Sequence, residues 1–404
     1  MSPLVSIGII LAVMIMIVSL KLNLNYSILA GIILTTLFFN RGFNVFGDLI
    51  STLTNLTNLN IIAMFILIFF LARLMDEAGI LKKMLYSTEK VIRNTGIVVL
   101  SIPFLIGWVP SPSGAILSAP FVKEIGEKAK ISKLRQQLIN YWFRHISEYI
   151  NPIYPGPILA SSILSITFAS FVYTNILVMA AVFLIGVLFF VRGIKQRELE
   201  EKKHSKRDFW NILNVVIPIL IALILPTFFK INLSISLLAA LIFTIIMNRI
   251  FSKKLITTLR KSIKVDIIIL IILVLLFKTV LENSKAIELV AKSFIALNFP
   301  SLILIILVPM IISFLTGLTL AYVGIGFPLL MPFFTANGSL DLGLVMLAYE
   351  AGYFGLMMSP MHLCLSVTQK YFCLELSQIF KKLIVPQLLI LGITLLLYFV
   401  GWPL

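Results

Sequence analysis

The chain has 404 residues, of which 60% are hydrophobic and only 12% are charged. This composition, with a mean hydropathy of +1.06, excludes a soluble globular domain. Apolar runs long enough to cross a hydrocarbon core of roughly 30 Å recur along the whole sequence. The formal net charge of +16 does not indicate nucleic acid binding, because the Lys and Arg residues lie in short loops between apolar runs. We therefore expect an all-α polytopic membrane protein, in contact with the lipid bilayer.

Ten apolar segments are predicted to cross the membrane as helices, two of them interrupted. They are 3–20, 26–40, 59–75, 139–170 (interrupted), 172–192, 210–229, 232–248, 265–281, 342–370 (interrupted) and 383–401. The first segment lacks the basic start and the small-residue cleavage site of a signal peptide, so we expect it to be retained as a span.

The charge of the loops predicts the orientation of these spans. Basic loops follow the third, fifth and seventh spans, and such loops are typical of the cytoplasmic side. Loops 41–59 and 336–341 carry almost no Lys or Arg, which favours the opposite side. Both chain termini are then expected outside, in a multi-pass protein of the cell (cytoplasmic) membrane.

Two further hydrophobic segments, 96–121 and 301–335, are broken by Pro, Gly and Ser or Thr. Both ends of the first segment adjoin basic sequence, whereas the second segment lies between ENSKAIELVAKS, which is assigned to the outside, and the poorly charged ANGSLDLG. Each segment is therefore predicted to enter the membrane and return on the same side. The result is two re-entrant hairpins of opposite sense.

The order of elements predicts an internal repeat. Three spans, a hairpin, an interrupted span and a final span occur twice, with opposite orientation and an offset of about 205 residues. We expect a first repeat over 1–192, a basic cytoplasmic linker over 193–209 and a second repeat over 210–404. Inverted repeats with broken helices are typical of secondary transporters, which bind their substrates near the membrane midplane.

The hairpin tips and the helix breaks are the candidate binding site, because backbone that turns inside a bilayer must line a cavity or bind something. In the first tip, PSPSGAILSAP, proline residues end one helix, and the next helix begins with free N–H groups that attract anions. The predicted substrate-binding residues are Ser111, Ser113, Gly114, Ser118, Asn151, Thr316, Thr319, Tyr322, Gly324, Gly326 and Ser359. For any single one of these residues, close helix packing is a better explanation than substrate binding. The matched positions of four broken elements favour a binding site.

Glu148, Glu350 and His362 are the candidates for proton or ion coupling. An ionisable side chain inside a membrane is expensive and usually functional, and histidine titrates near neutral pH. The alternatives are carboxylates that lie near the interface or pair locally, as Glu148 would with Arg144, and a buried neutral histidine.

No metal site or bound cofactor is expected, apart from Na⁺ or H⁺ as a coupling ion. His145 and Glu148 have the spacing of a metal-ligand pair, but no second pair accompanies them at a useful distance in the sequence. Cys364 and Cys373 lie in or near an apolar segment without a disulfide framework. We interpret both cysteines as packing residues.

The motifs PSPSGAILSAPFV and LTLAYVGIGFPLLMP resemble those of the ion transporter superfamily, and most of all its uncharacterised branch, domain-of-unknown-function family 401. The resemblance covers nearly the whole chain. It implies two inverted repeats, transport of an anion with Na⁺ or H⁺, an elevator motion and a homodimer. The Ser-Asn-Thr tips of the divalent-anion/sodium symporters are replaced here by Ser111-Pro112-Ser113 and Thr319-Leu320-Ala321. The architecture therefore carries over from the resemblance, whereas Na⁺ coupling and dicarboxylate specificity do not.

The sequence thus predicts a secondary active transporter of a small, anionic solute, coupled to H⁺ or Na⁺, and no enzymatic activity. Efflux and exchange are compatible with the same features. The alternative from another class is an intramembrane enzyme with Ser113 as the nucleophile and His145 or His362 as the base. No recognisable nucleophile motif accompanies Ser113.

Overall fold

The computed structural model describes residues 2–20, 22–110, 114–196, 205–250, 253–296, 300–336 and 339–403. Within these ranges the chain is helical almost throughout. The exception in regular structure is a two-residue antiparallel pair, Thr335–Ala336 with Ser339–Leu340. The prediction of an all-α membrane protein is confirmed.

The first half of the chain forms ten α-helices. They are α1 (Pro3–Ser19), α2 (Leu24–Phe38), α3 (Asn44–Thr54), α4 (Leu56–Glu77), α5 (Ile80–Val91), α6 (Thr95–Gly107), α7 (Gly114–Lys128), α8 (Lys133–His145), α9 (Pro155–Ile163) and α10 (Phe168–Gly186). A 3₁₀ turn, Ile146–Tyr149, follows α8, and a π-helical turn, Val187–Val191, extends α10.

The second half continues the series. Its helices are α11 (Lys206–Phe228), α12 (Leu233–Met247), α13 (Lys253–Ser262), α14 (Val265–Asn283), α15 (Ala286–Ala296), α16 (Ser301–Thr316), α17 (Thr319–Ala321), α18 (Phe327–Phe334), α19 (Leu342–Met357), α20 (Leu363–Phe372) and α21 (Leu376–Phe399). A π-helical turn, Tyr322–Gly326, joins α17 to α18, so that Thr319–Phe334 runs as one apolar helical segment.

Among the described residues, four helices have both the length and the composition to cross a membrane. They are Leu56–Glu77, Phe168–Val191, Lys206–Phe228 and Leu376–Phe399. Seven apolar helices of 10–17 residues accompany them. The set of ten spans and the orientation of the termini therefore stay predictions.

Several segments that the sequence suggests as loops contain short helices. The expected loop 41–59 contains α3 and the beginning of α4, and α5 and α13 lie within the basic loops. Charged and polar residues interrupt these helices, so their apolar runs are too short to span a membrane. One face of each helix nevertheless packs on the protein. In α3, for example, Asp48 is buried and accepts hydrogen bonds from Arg41 and Asn283.

Corresponding helices of the two halves pack in corresponding ways. Helix α3 packs on α14 and α13 packs on α4, while α2 packs on α14 and α12 packs on α4. In each half the broken helix packs on one arm of a helical hairpin, α8 on α6 and α19 on α16. This pattern fits repeats over 1–192 and 210–404, which remain a prediction, and part of the expected linker lies outside the described residues.

The hairpin arms approach the broken helices at backbone contact distance. A Cβ atom on Gly107 would overlap the carbonyl oxygen of Arg144, and a Cβ atom on Gly355 would overlap the carbonyl oxygen of Met310. Neither obstacle is a flexible side chain that could move aside. These two glycines therefore fix how closely α6 meets α8 and α16 meets α19.

We predict that Gly355→Ala lowers the midpoint temperature of thermal unfolding in detergent. Overpacking of this kind costs about 1–3 kcal/mol. The matched control is Gly392→Ala in α21, where a Cβ atom meets nothing within 4 Å and alanine favours the helix. Equal unfolding temperatures for the two variants would contradict the close approach.

Candidate functional site

The two helix breaks meet in the interior of the protein. Helix α8 ends at His145 and the chain resumes as α9 at Pro155, while α19 ends at Met357 and α20 begins at Leu363. Both interruptions contain proline, Pro152 and Pro155 in the first and Pro360 in the second, which disfavours a continuous helix because proline has no N–H to donate and its ring collides with the preceding turn. The Nε2 atom of His145 lies 3.0 Å from Nε2 of His362. The breaks are thus in direct contact.

Buried tyrosines satisfy the carbonyl groups that the breaks leave without helical partners. The Tyr349 hydroxyl donates to the Glu148 carbonyl at 2.9 Å, and the Tyr353 hydroxyl donates to the His145 carbonyl at 2.6 Å. In return, the Tyr141 hydroxyl of α8 donates to the carbonyl of Met357, the last residue of α19, at 3.1 Å. Each broken helix therefore caps the other, which matters where water is excluded.

Polar side chains tie each break to a hairpin arm. Ser147 donates to the Gly107 carbonyl at 2.7 Å, and the Asn151 amide donates to the Trp108 carbonyl at 2.9 Å. On the other side, the Ser359 hydroxyl donates to the Phe314 carbonyl at 2.6 Å. Asn151 and Ser359, both predicted to bind substrate, thus hold the hairpin arms in place.

A cavity of about 570 Å³ opens beside the two breaks. Its other walls are the second hairpin tip and the first residues of α2 and α14. Of the predicted site residues, Glu148, Thr319 and His362 line it. The polar side chains and glycines that line it in addition are Asn23, Asn25, Arg144, His145, Tyr154, Gly156, Lys264, Asp266, Gly317 and Cys364.

Arg144 places a positive charge in the cavity wall. Its side chain is almost fully buried, with the whole residue 3% exposed. The guanidinium lies against Gly114, where a Cβ atom would overlap it, and it interacts electrostatically with Cys364, Tyr154 and Glu148. The arginine therefore joins the first hairpin to both breaks.

Three helical segments begin at this cavity without a side-chain cap. Their N-cap residues, Tyr154, Leu318 and His362, make no side-chain hydrogen bond to the helix. The first residues of α9, of the segment Thr319–Phe334 and of α20 line the cavity. The N-terminus of α7 lies beside the Arg144 guanidinium. Uncapped N–H groups, of which α9 offers Gly156 but not Pro155 or Pro157, and the positive ends of helix dipoles favour a negative ligand.

Glu148 is the acidic counterpart of this positive region. It is 6% exposed, and its Oε1 atom lies 3.9 Å from Nε2 of His145. Its other charged or polar neighbours are Cys364, Arg144 and Tyr154. A carboxyl group at this position competes with an anionic ligand for Arg144.

Glu350 lies behind the breaks and does not line the cavity. It is fully buried, and its Oε2 atom accepts a 2.5 Å hydrogen bond from the Tyr149 hydroxyl. Its Oε1 atom has no hydrogen-bond partner among the described residues. The structure thus separates the two carboxyl groups that the sequence suggests as equivalent.

The remaining predicted residues have local contacts. Ser118 donates to the Gly114 carbonyl at 3.1 Å, and Thr316 accepts from the Leu318 N–H at 3.2 Å. Gly324 packs against Val274. Gly326 faces Ile312, and the buried Tyr322 hydroxyl has no hydrogen-bond partner in the described part of the chain. Ser111 and Ser113 lie outside the described residues.

Sequence reasoning missed the importance of Arg144, Cys364 and the tyrosines. Arg144 was detectable, because an arginine inside an apolar, interrupted span is costly and therefore functional. The role of Cys364 depends on contacts across more than half of the chain, which no local pattern encodes.

The fold of this chain is similar to that of a solved membrane-protein structure. A solved structure with this fold is the YdaH transporter of Alcanivorax borkumensis, described as having an unusual topology. The two chains have 14% sequence identity and a TM-score of 0.58, over 89% of this chain and 88% of the other.

The family described as "Protein of unknown function (DUF401)" matches residues 1–402, so the chain belongs to this family. The expected membership in family 401 is confirmed. No match was found among curated proteins.

We predict that Tyr149→Phe lowers the free energy of unfolding by about 1–3 kcal/mol, because it leaves the buried Glu350 carboxyl without a donor. Thermal unfolding in detergent measures this change. The control is Tyr26→Phe, since Tyr26 is 61% exposed. Adding Glu350→Met to Tyr149→Phe should recover much of the loss, because both polar partners are then removed. A double variant that is still less stable than Tyr149→Phe would contradict this explanation.

Proposed function

We propose that this protein is a secondary active transporter of a small anionic solute, which binds in the cavity between the helix breaks. The observation that carries the proposal is the buried Arg144 guanidinium among uncapped helix N-termini. A negative ligand interacts favourably both with a guanidinium group and with the positive ends of helices.

The position of the cavity supports transport. The hairpins and breaks form one wall, and α2, α4 and α14 contribute the other. We propose that the hairpins are re-entrant and move with the broken helices against these outer helices, as in an elevator mechanism. Lys264, which lines the cavity, follows one of the basic loops in the sequence. If these loops are cytoplasmic, the cavity opens to the cytoplasm.

A second cavity, of about 700 Å³, lies at the other end of α9. Ile158 and Ser161 of α9 line it, together with residues at the ends of α11 and the beginning of α12. Gly156 of the same short helix lines the first cavity. Helix α9 therefore separates two cavities, which fits a protein that exposes one site alternately to two sides.

The fold also supports this proposal, because a solved structure with a similar fold belongs to a transporter. An enzymatic role is less well supported by the histidine geometry. His145 has both ring nitrogens engaged, one with the Tyr141 carbonyl and one with His362. It is therefore not placed to activate a serine. We propose a multi-pass location in the cell membrane and a homodimer as parts of the same hypothesis.

Coupling is proposed to occur at Glu148 rather than at Glu350. Glu148 lies in the cavity wall beside Arg144 and His145, whereas Glu350 is separated from the cavity. A charged Glu148 repels an anion at Arg144, and a proton on Glu148 removes this repulsion. Proton uptake at Glu148 then favours anion binding, and Na⁺ beside the carboxylate is the alternative coupling ion.

We predict that Arg144→Gln abolishes stabilisation by anions. A ligand that binds only the folded state stabilises it by about 2.7 kcal/mol at one hundred times its Kd. The measurement is the shift of the unfolding temperature of purified protein with a panel of organic and inorganic anions, with and without Na⁺. The control is Arg260→Gln in α13, which removes the same charge from an exposed residue. A shift that persists in Arg144→Gln would refute the proposed site.

We predict that wild-type protein binds its anion more tightly at pH 6 than at pH 8, and that Glu148→Gln removes this difference. Glutamine resembles the protonated carboxyl, so the variant should bind with the pH 6 affinity at both pH values. Titration of the stabilising anion at the two pH values measures this effect.

The matched comparison for this prediction is Glu350→Gln, a change of the same chemistry outside the cavity, which should keep the pH difference. If Glu350→Gln loses the pH difference and Glu148→Gln keeps it, coupling belongs to Glu350 and the proposal is wrong. If anion binding depends on Na⁺ and not on pH, Na⁺ is the coupling ion instead of the proton.

A further inference from the structure

Three potential metal ligands from the two helix breaks converge at the cavity wall. They are the imidazoles of His145 and His362 and the thiol of Cys364, whose ligand atoms all lie within 4.8 Å of one another. His145 belongs to the first break, and His362, at the second break, is 217 residues further along the chain. The fold alone therefore creates this cluster.

The geometry of His145 is that of a metal-ligating histidine. Its Nδ1 atom lies 2.6 Å from the Tyr141 carbonyl oxygen, which can only accept a hydrogen bond, so the ring proton belongs on Nδ1. The Nε2 lone pair is then directed at His362. Histidines that bind metals usually fix their orientation with such a hydrogen bond to a carbonyl or carboxylate.

The spacing of the two imidazoles also fits a shared ion. Their Nε2 atoms are 3.0 Å apart. Two ligands of a tetrahedral zinc site with Zn–N bonds of about 2.0–2.1 Å are roughly 3.3 Å apart. A movement of a few tenths of an ångström would accommodate the ion between them.

Cys364 completes the set with a soft ligand. Its Sγ atom lies within 4.8 Å of the ligand nitrogens of both imidazoles, and the Arg144 guanidinium lies nearby. Arg144 therefore offers a cation to the negative sulfur that a metal-bound cysteine carries. Because Cys364 lines the cavity and is not fully buried, an ion can reach it from solution.

We propose that His145, His362 and Cys364 bind a transition-metal ion, Zn²⁺ being the ion that this ligand set suits best. The fourth coordination position faces the cavity and is left to a water molecule, because Glu148, whose Oε1 atom lies 3.9 Å from His145 Nε2, is the proposed proton-binding group. This proposal replaces the expectation that the chain has no metal site. It does not depend on transport, since the ion would connect the two breaks whatever solute the cavity holds.

The test uses the full-length purified protein and metal ions alone, in a buffer without organic anions. Co²⁺ serves as a spectroscopic substitute for Zn²⁺, because a cobalt–thiolate bond gives a charge-transfer absorption in the near ultraviolet. Wild-type protein should show this band, lose it on addition of Zn²⁺, and retain a single Zn²⁺ ion per chain after dialysis.

Cys364→Ser should remove the charge-transfer band. Both Cys364→Ser and His362→Ala should weaken Zn²⁺ binding by more than about tenfold, because the loss of a partner that only hydrogen-bonds to a ligand already costs about tenfold or more. The matched control is Cys373→Ser, because Cys373 is the exposed free cysteine; it should keep the band and the affinity. Cys364→Ser changes one atom, so its unfolding temperature without metal should match that of the wild type.

Two results would overturn the proposal. One is a folded wild-type protein that gives no cobalt–thiolate band and retains no Zn²⁺, which would assign the short imidazole contact to a hydrogen bond between the histidines. The other is metal binding that survives both Cys364→Ser and His362→Ala. Neither result changes the expected response of the protein to anions, so this inference and the transport proposal fail separately.

Discussion

The need to satisfy backbone polar groups at two helix breaks is the constraint on which the rest of the structure depends. Inside a membrane protein an unpaired carbonyl or N–H group cannot turn to bulk water. Helices α8 and α19 nevertheless end in the interior, ahead of proline residues. The carbonyl groups freed at these ends accept hydrogen bonds from Tyr141, Tyr349 and Tyr353, each donated by the opposite broken helix.

The solution to this constraint also creates the electrostatic character of the cavity. Tyrosine hydroxyls occupy the negative, C-terminal ends of the broken helices, whereas the N-terminal ends of α9 and α20 face the cavity without side-chain caps. The partial charges that remain available are thus positive, and Arg144 adds a full positive charge. The same contact between the breaks brings His145, His362 and Cys364 together. The proposed anion site and the proposed metal site therefore both depend on one packing arrangement.

Much of the fold follows from the sequence alone, because hydropathy and proline position are local properties. Long apolar runs predict membrane helices. In the segments 96–121 and 301–335, α6 packs on α7 and α16 on α18, while their re-entrant arrangement stays a prediction. Short helices such as α3 escape this reasoning, because their packing on a distant helix, not their own composition, stabilises them.

The candidate site follows from the sequence only in part. Of the predicted residues, Glu148, Thr319 and His362 line the cavity, and their roles stay predictions. Asn151 and Ser359 mark the correct breaks, but their side chains hold the hairpin arms. Cys364 and the tyrosine donors act through contacts more than 200 residues away in the chain, which only the folded structure brings together.

The central claim is that an anion binds at Arg144 among the uncapped helix N-termini. Its most direct test is an experimental structure of the protein with the anion that raises its unfolding temperature most. The account predicts density for the anion within hydrogen-bonding distance of the Arg144 guanidinium and of backbone N–H groups at the beginning of α9 or α20. An anion bound elsewhere, with Arg144 paired to Glu148 and the cavity closed to it, would contradict the account.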